Sequence, residues 1–357
     1  MSALPGIVVV THQSSRWITS CLDGLERGLP SGTCVVLVDN ASTDGTRQLV
    51  ESWIVERQAA VGGGKLALQV IACARNLGFG AANNLGVRRL EAEWATSQLI
   101  DPDRWIVLVN PDVVVDDFDL DALVEAGSDP RVGALALSQR DAPCTEATPR
   151  LRPFPSMLDV VMDFSWALLI PAALHRRERF WLSPRSSRNR ECWPSGGFLA
   201  VRHGAWIDVG GFDERYFLFW EDVDLGRRLL AAGWSCTPSH AATGLHGGPE
   251  GAPRHGGADR WKLSWGLAGW LTYRRIWDGR RSARSAAVLT LTAQAAALVA
   301  LVPFWFLPAG GVPFRRKSRE LSTLACLLAQ GLRPGAGAGA EKHPQPEPGN
   351  AIRKALR

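Results

Sequence analysis

The chain has 357 residues, 46% of them hydrophobic, and a formal net charge of +5. That suffices for one large α/β domain with an appendage, or for two modest domains. The basic excess is mild and unevenly placed: Arg274, Arg275, Arg280, Arg281 and Arg284 precede an apolar stretch, and Arg315, Arg316, Lys317 and Arg319 follow it. This suits an anionic membrane surface better than a duplex, so no nucleic-acid partner is expected.

In chain order, 7–11 is a short β-branched run that predicts a buried strand, followed by a polar loop at 12–16 and a helix over 17–27. The first residues lack a basic n-region and lead straight into that strand, so no secretory signal is expected. A second strand over 34–38 ends in Asp39-Asn40, and Ser42, Thr43 or Asp44 can cap a helix over 46–58. Gly62-Gly63-Gly64 turns into a third strand over 66–72, a helix covers 83–94 and a fourth strand 105–109. Strands alternating with helices imply a mostly parallel sheet with ligands at the carboxyl ends of its strands, where Asp39, Asn76 and Asp112 stand. Residues 141–195 are rich in Pro and Arg and read as a long loop with short helices across the active face. A strand over 196–202 and a helix over 223–232, stopped by Gly233, follow.

From Ser285 to Phe314 there is no charged residue. Pro303, Pro308 and Pro313 break this stretch, which therefore reads as a membrane-embedded hairpin or interfacial helix rather than a clean span, with a buried amphipathic helix as the alternative. The tail from Gly331 has the composition of a disordered segment. Seven scattered cysteines without a CxxC pair read as reduced thiols of a cytoplasmic protein with no zinc site.

Five segments carry candidate chemistry. Gly210-Gly211-Phe212-Asp213-Glu214-Arg215-Tyr216-Phe217 leads into Glu221-Asp222-Val223-Asp224-Leu225. Carboxylates among that much apolar surface need a cation or a proton-transfer role to hold them there. Asp222 is the candidate base for an acceptor hydroxyl, although acidic residues also suit the first turn of a helix for its dipole alone. Asn110-Pro111-Asp112 brings a second carboxylate to a strand end, where it can hold Mg²⁺ or Mn²⁺ with substrate phosphates or simply form a turn. Asp39 can accept from a base or ribose, or merely cap the next helix. Asn76-Leu77-Gly78-Phe79-Gly80 lets backbone approach a phosphate at a helix start, or is a plain strand-to-helix turn. His246, read as a neutral imidazole on a mobile Gly-rich loop, is a candidate further metal ligand. Trp193 and Trp220 can stack on a sugar ring or fill the core. Trp261, Trp265, Trp270, Tyr273 and Trp277 recur at helical spacing and read first as core or membrane-interface residues.

Together these motifs resemble family 2 glycosyltransferases of GT-A fold, in their bacterial rhamnosyltransferase-like branch. The matching runs are 38–46, 76–80, 110–112, 210–217 and 221–225, within about residues 5–250. The resemblance implies a nucleotide-diphospho-sugar transferase fold, a Rossmann-like mixed sheet flanked by helices, over 1–280. A helical, membrane-associated extension over 281–330 and a disordered tail over 331–357 complete the expected chain. It also implies donor-nucleotide contacts from Thr11, Asp39, Asn76, Gly78 and Asn110, metal binding by Asp112 and His246, and Asp222 as catalytic base. Trp193, Trp220 and Glu221 stand as acceptor-binding candidates. Asn110 occupies the first position of the family's metal-binding DxD, where a carboxylate is lost. The implied reaction is inverting and metal-dependent (Mg²⁺ or Mn²⁺). It moves a sugar, most plausibly rhamnose from dTDP-rhamnose, onto a lipid-linked or cell-envelope polysaccharide acceptor at the inner membrane face. A UDP- or GDP-sugar donor, galactofuranosyl transfer, or a non-catalytic nucleotide-sugar-binding assembly protein are the alternatives. A nucleotidyltransferase would need a basic, glycine-rich triphosphate loop, which 11–16 does not supply.

Overall fold

The structure is a computed structural model and describes residues 3–59, 64–96, 101–164, 191–247, 260–301, 321–322, 325–326, 328–329 and 348–356. Strand β1 (Gly6–Thr11), helix α1 (Ile18–Gly28), strand β2 (Cys34–Asp39), helix α2 (Thr46–Ala59), strand β3 (Ala67–Ala72), helix α3 (Phe79–Thr96) and strand β4 (Trp105–Val109) follow one another as the pattern predicts. β1, β2 and β4 are buried along their whole length, as continuous apolar runs require when both sheet faces are covered. Helix α3 begins four residues before the expected start at Asn83, directly after Gly78 (φ 90°).

Periodicity assigns no element to 113–140 or 234–245. The structure places there β5 (Val113–Phe118), α4 (Leu120–Ala126), β6 (Val132–Arg140) and, after the later segments, β11 (Ser235–His246). Between them run β7 (Thr148–Pro149), β8 (Leu151–Pro153), α5 (Met157–Phe164), β9 (Cys192–Pro194), β10 (Phe198–Arg202), α6 (His203–Val209) and α7 (Glu221–Ala231). The expected long loop over 141–195 thus contains three short strands and a helix, and its part over 165–190 lies outside the described residues.

The main sheet has the order β3-β2-β1-β4-β10-β6-β11-β5, with β7 on β6, and β8 pairs with β9 separately. Its first four strands are parallel. Antiparallel β10 then changes the sense, so the sheet is mixed rather than mostly parallel. One face is packed by Leu22 and Leu25 of α1, Trp53 of α2 and Leu123 of α4. The other carries Leu90 and Trp94 of α3, Trp206 of α6 and Leu225 and Leu229 of α7.

The chain divides into two compact units. Met1–Arg152, Arg190–Glu214 and Glu221–Arg254 form one; Pro153–Asn189, Arg215–Trp220 and His255–Arg357 form the other. The second unit is built on α8 (Arg260–Leu301), interrupted at Gly279 (φ 84°, ψ 168°), and on α9 (Pro348–Leu356). Arg284 Nε of α8 donates to the Leu356 carbonyl at 2.9 Å. Helix α9 lies in the tail expected to be disordered: Ile352, Ala355 and Leu356 repeat at helical spacing and are buried, while 331–347 lies outside the described residues. Trp265, Trp270 and Tyr273 are core residues of this unit. Among the described residues no helix is long and apolar enough to cross a membrane. Of the uncharged stretch, 302–314 lies outside them. All seven cysteines are free thiols.

Candidate active site

Parallel pairing in register sets Thr11 of β1 beside Asp39 of β2. Thr11 Oγ1 donates to Asp39 Oδ1 at 3.3 Å, and Ser42 N–H donates to the same oxygen at 3.2 Å. Asp39 is buried. The loop after β1 is stitched to the loop after β2: Ser14 N–H donates to Thr46 Oγ1 (2.8 Å) and Ser15 N–H to Asp44 Oδ2 (3.0 Å). Asn40 reaches the third loop. Its Nδ2 donates to Asn76 Oδ1 (2.9 Å) and the Gly78 carbonyl (3.2 Å), and its Oδ1 accepts from Leu77 N–H (2.8 Å). Asn40 therefore holds Asn76 and Gly78 at the N-terminus of α3, with Asp39 next to it in the chain. No separate sequence signal marks Asn40 beyond its place after a strand-end Asp.

Asp112 follows β4 in a tight turn closed by Val113 N–H donating to the Asn110 carbonyl at 3.0 Å. Its Oδ2 lies 3.4 Å from His246 Nε2, and its Oδ1 is buried without a hydrogen-bond partner. His246 is the last residue of β11 and pairs with Val113, so it stands on a strand end rather than on a mobile loop. The neighbouring Gly244 is a packing residue, since a Cβ there would lie 2.7 Å from Val113 Cγ1. His246 Nδ1 lies 3.5 Å from Asp141 Oδ1, and Asp141 is paired with Arg150 at 2.7 Å. Burial alone would depress the imidazole. The hydrogen bond to Asp141 and the charges of Asp112 and Asp141 outweigh it and raise the pKa above the ordinary histidine value. The same bond to His246, opposed by burial and helped by Arg150, holds Asp141 far below the usual carboxylate range.

Asp222 lies in the first turn of α7, and Phe219 and Trp220, just before it, both have left-handed backbone (φ 67° and 74°). Non-glycine residues rarely take that conformation, and two in succession mark stored strain at the entrance to the helix. Asp222 Oδ2 accepts from Gly196 N–H at 3.0 Å and Oδ1 from Val223 N–H at 2.9 Å. Burial raises its pKa, against the pull of the Gly196 N–H and the nearby Arg152. Glu221 is buried with Oε2 unpartnered; burial, and then the charge of Asp222, push its pKa well above the carboxylate range. Asp224 faces inward and is paired with Arg228 at 2.7 Å. Arg228 in turn donates to the carbonyls of Val209 (2.6 Å) and Gly211 (2.7 Å), fastening the turn before the acidic segment to α7.

The two acidic sites meet on one short segment. Gly196 N–H holds Asp222, and the carbonyl of the next residue, Gly197, accepts from Asn110 N–H at 2.9 Å. Both glycines are fitted closely: a Cβ on Gly197 would lie 3.3 Å from Asn110 Nδ2, and one on Gly196 3.4 Å from Asp222 Cβ. The Asp222 carboxylate and the backbone of Asn110, two residues before Asp112, are thus bonded to consecutive residues. Trp193 and Trp220 present no open face. Trp193 is 3% exposed and Trp220 8%, the latter with its ring 5.3 Å from Tyr273. Arg152 and Asp141 complete the cluster without having been marked in the sequence.

The profile of glycosyl transferase family 2 matches residues 6–212. The chain belongs to that family. It is 35% identical over 245 residues to the N-acetylglucosaminyl-diphospho-decaprenol L-rhamnosyltransferase of Mycobacterium tuberculosis, covering 67% of this chain and 75% of the relative. It is 29% identical over 157 residues to rhamnosyltransferase WbbL of Escherichia coli, covering 44% and 55%. Among solved structures, the mannosyltransferase PcManGT of Pyrobaculum calidifontis, in complex with GDP-Man and Mn²⁺, has the same kind of fold at 18% identity. It aligns with a TM-score of 0.50 over 91% of this chain and 88% of its own. The glycosyltransferase described here therefore has a mixed α/β sheet of GT-A type, and Asp39, Asn76, Gly78, Asn110 and Asp112 all lie within the family match.

Proposed function

We propose that this glycosyltransferase moves rhamnose from dTDP-rhamnose, with inversion, onto a lipid-linked diphospho-sugar at the inner face of the cell membrane. The observation that carries the reading is that Gly196, whose N–H holds Asp222, is followed by Gly197, whose carbonyl holds the backbone of the Asn110–Asp112 turn. In this reading Asp112 serves the leaving group and Asp222 the nucleophile. Rhamnosyl transfer and the lipid-linked acceptor are supported by the activities for which the bacterial relatives are named.

In this reading the loops of Thr11, Asp39, Asn76 and Gly78 hold the nucleotide. Asp222 takes the proton of the acceptor hydroxyl as that oxygen forms a bond to the anomeric carbon. The bond from that carbon to the diphosphate oxygen breaks, and the nucleoside diphosphate leaves with the electron pair. Burial raises the Asp222 pKa above the ordinary aspartate value, the direction that makes the carboxylate a stronger base.

The residues present fit a divalent cation. Asp112 has an orphaned oxygen, and His246, oriented through Nδ1 by Asp141, turns Nε2 toward Asp112. Among the described residues no group of three or more His, Cys, Asp or Glu is placed to hold a metal, so the remaining ligands would be donor phosphate oxygens. A Mg²⁺ or Mn²⁺ ion bound there supplies charge neutralisation for the departing diphosphate. Arg275, Arg280 and Arg281, exposed on α8 beside exposed Val288 and Leu289, support contact with an anionic lipid surface.

Two variants test the division of roles. Asp222→Asn should bind dTDP with Mn²⁺ as the parent does and lose transfer by about a hundredfold or more; normal turnover would remove Asp222 as the base. Asp112→Ala should weaken dTDP binding in the presence of Mn²⁺ and leave metal-free binding unchanged by calorimetry. Equal affinities with Mn²⁺ would count against Asp112 as a ligand.

A further inference from the structure

Arg152 belongs to none of the motifs that mark the site, yet it lies on the pair of short strands that delivers the Gly196 N–H to the base. Strand β8, which carries it, pairs with β9, and the chain leaving β9 delivers the Gly196 N–H to Asp222. Ser195 N–H donates to the Arg150 carbonyl at 2.9 Å, so the two short strands fix the position of that glycine directly. The Arg152 guanidinium lies over the Trp193 ring, 5.8 Å from its centroid. Trp193 in turn seats α7: a Cβ on Gly226 would lie 2.5 Å from Trp193 Cβ. The platform beneath the guanidinium is therefore the one on which the helix of Asp222 rests.

We propose that Arg152 is a positioning residue for the base, seated over Trp193 so that its positive charge bears on the Asp222 carboxylate and keeps it turned toward the Gly196 N–H. The inference rests on the reading of Asp222 as the proton acceptor. Burial penalises both partners, and each favours the charged form of the other. The other groups around Asp222 do not supply that charge. Glu221, on the same helix, is an acid, and the Gly196 and Val223 N–H groups are neutral donors. Arg228 is committed to Asp224. From the elements packed on α7, Asp208 of α6 accepts from Trp234 and His240 of β11 is bonded to Ser138. Burial pushes the Cys236 thiol of β11 up to about 12, which keeps it neutral.

A merely structural arginine would change stability, whereas a positioning arginine sets where the base titrates. The test is the pH profile of kcat/KM for transfer from dTDP-rhamnose to a short-chain N-acetylglucosaminyl-diphospho-lipid, with parent, Arg152→Met, Arg152→Lys and Asp222→Asn enzymes. Removing an opposite charge at close range raises a carboxyl pKa by about one to three units. The acid limb of Arg152→Met should therefore move to higher pH by at least about one unit, a loss of roughly tenfold on that limb. Activity should recover toward alkaline pH, and the thermal shift with dTDP and Mn²⁺ should be unchanged. Arg152→Lys keeps the charge and should keep the limb near the parent position; if the Met variant does not fold, Arg152→Gln removes the charge while keeping a polar side chain and reads the same limb. An Arg152→Met limb that coincides with the parent's, or an Arg152→Gln limb that does so where Met is unfolded, overturns the proposal while an inactive Asp222→Asn leaves the assignment of the base standing. Full activity in Asp222→Asn overturns both.

Discussion

Glu221 and Asp222 are neighbours with opposite fates. Asp222 accepts two backbone N–H groups, while Glu221 is buried with an oxygen that has no partner. A carboxyl whose folded pKa stands well above its unfolded value of about 4.3 favours the fold only while protonated. That contribution is fully present below the unfolded value and is lost as pH rises toward the folded one. Glu221→Gln, which cannot ionise, should therefore match the parent in Tm near pH 4 and exceed it by a few degrees near pH 8. A Tm difference that stays flat across that range would mean that Glu221 is not held neutral by burial.

At the scale of elements, Gly226 decides how closely α7 approaches β9. An added Cβ would sit 2.5 Å from Trp193 Cβ, and no flexible tip is there to yield. Gly226→Ala should push the first turn of α7 away from Gly196, at about 1–3 kcal/mol of stability, and reduce kcat at least tenfold with dTDP binding intact. Unchanged kcat would show that the seat of the helix does not set the base. The parts of the fold legible in the sequence follow the same logic. β1, α1, β2, α2, β3, α3 and β4 are visible because buried parallel strands are continuous apolar runs and each helix has its own period. β11 is not, because Ser235–His246 mixes Pro, Gly, Ser and His and owes its extended form to pairing with strands far away in the chain. The site divides likewise. Asp112 and Asp222 announce themselves as acids amid apolar residues. Arg152 and Asp141 lie in a Pro- and Arg-rich segment, and only the folded chain brings them to Asp222 and His246.

For the molecule as a whole, the net charge of +5 is too small to drive membrane binding by itself, so its placement matters. Arg275, Arg280 and Arg281 are exposed on α8, and Val288, Leu289 and Val299 follow as exposed apolar residues on the same helix. Each Arg near an anionic leaflet contributes about 1 kcal/mol, and the apolar residues add burial at the headgroup boundary. Replacing the three arginines with Gln should then weaken partition onto vesicles containing phosphatidylglycerol by about 3 kcal/mol, roughly a hundredfold. Partition onto neutral phosphatidylcholine vesicles should be weak for both proteins, and raising salt should reduce the difference on anionic ones. Soluble-donor hydrolysis should be equal in both, since none of the three arginines is among the residues assigned to the donor or the base. If the parent sediments equally with neutral and anionic vesicles, or the triple variant binds anionic vesicles as tightly as the parent, this basic segment is not the membrane contact and the acceptor must be met by another surface.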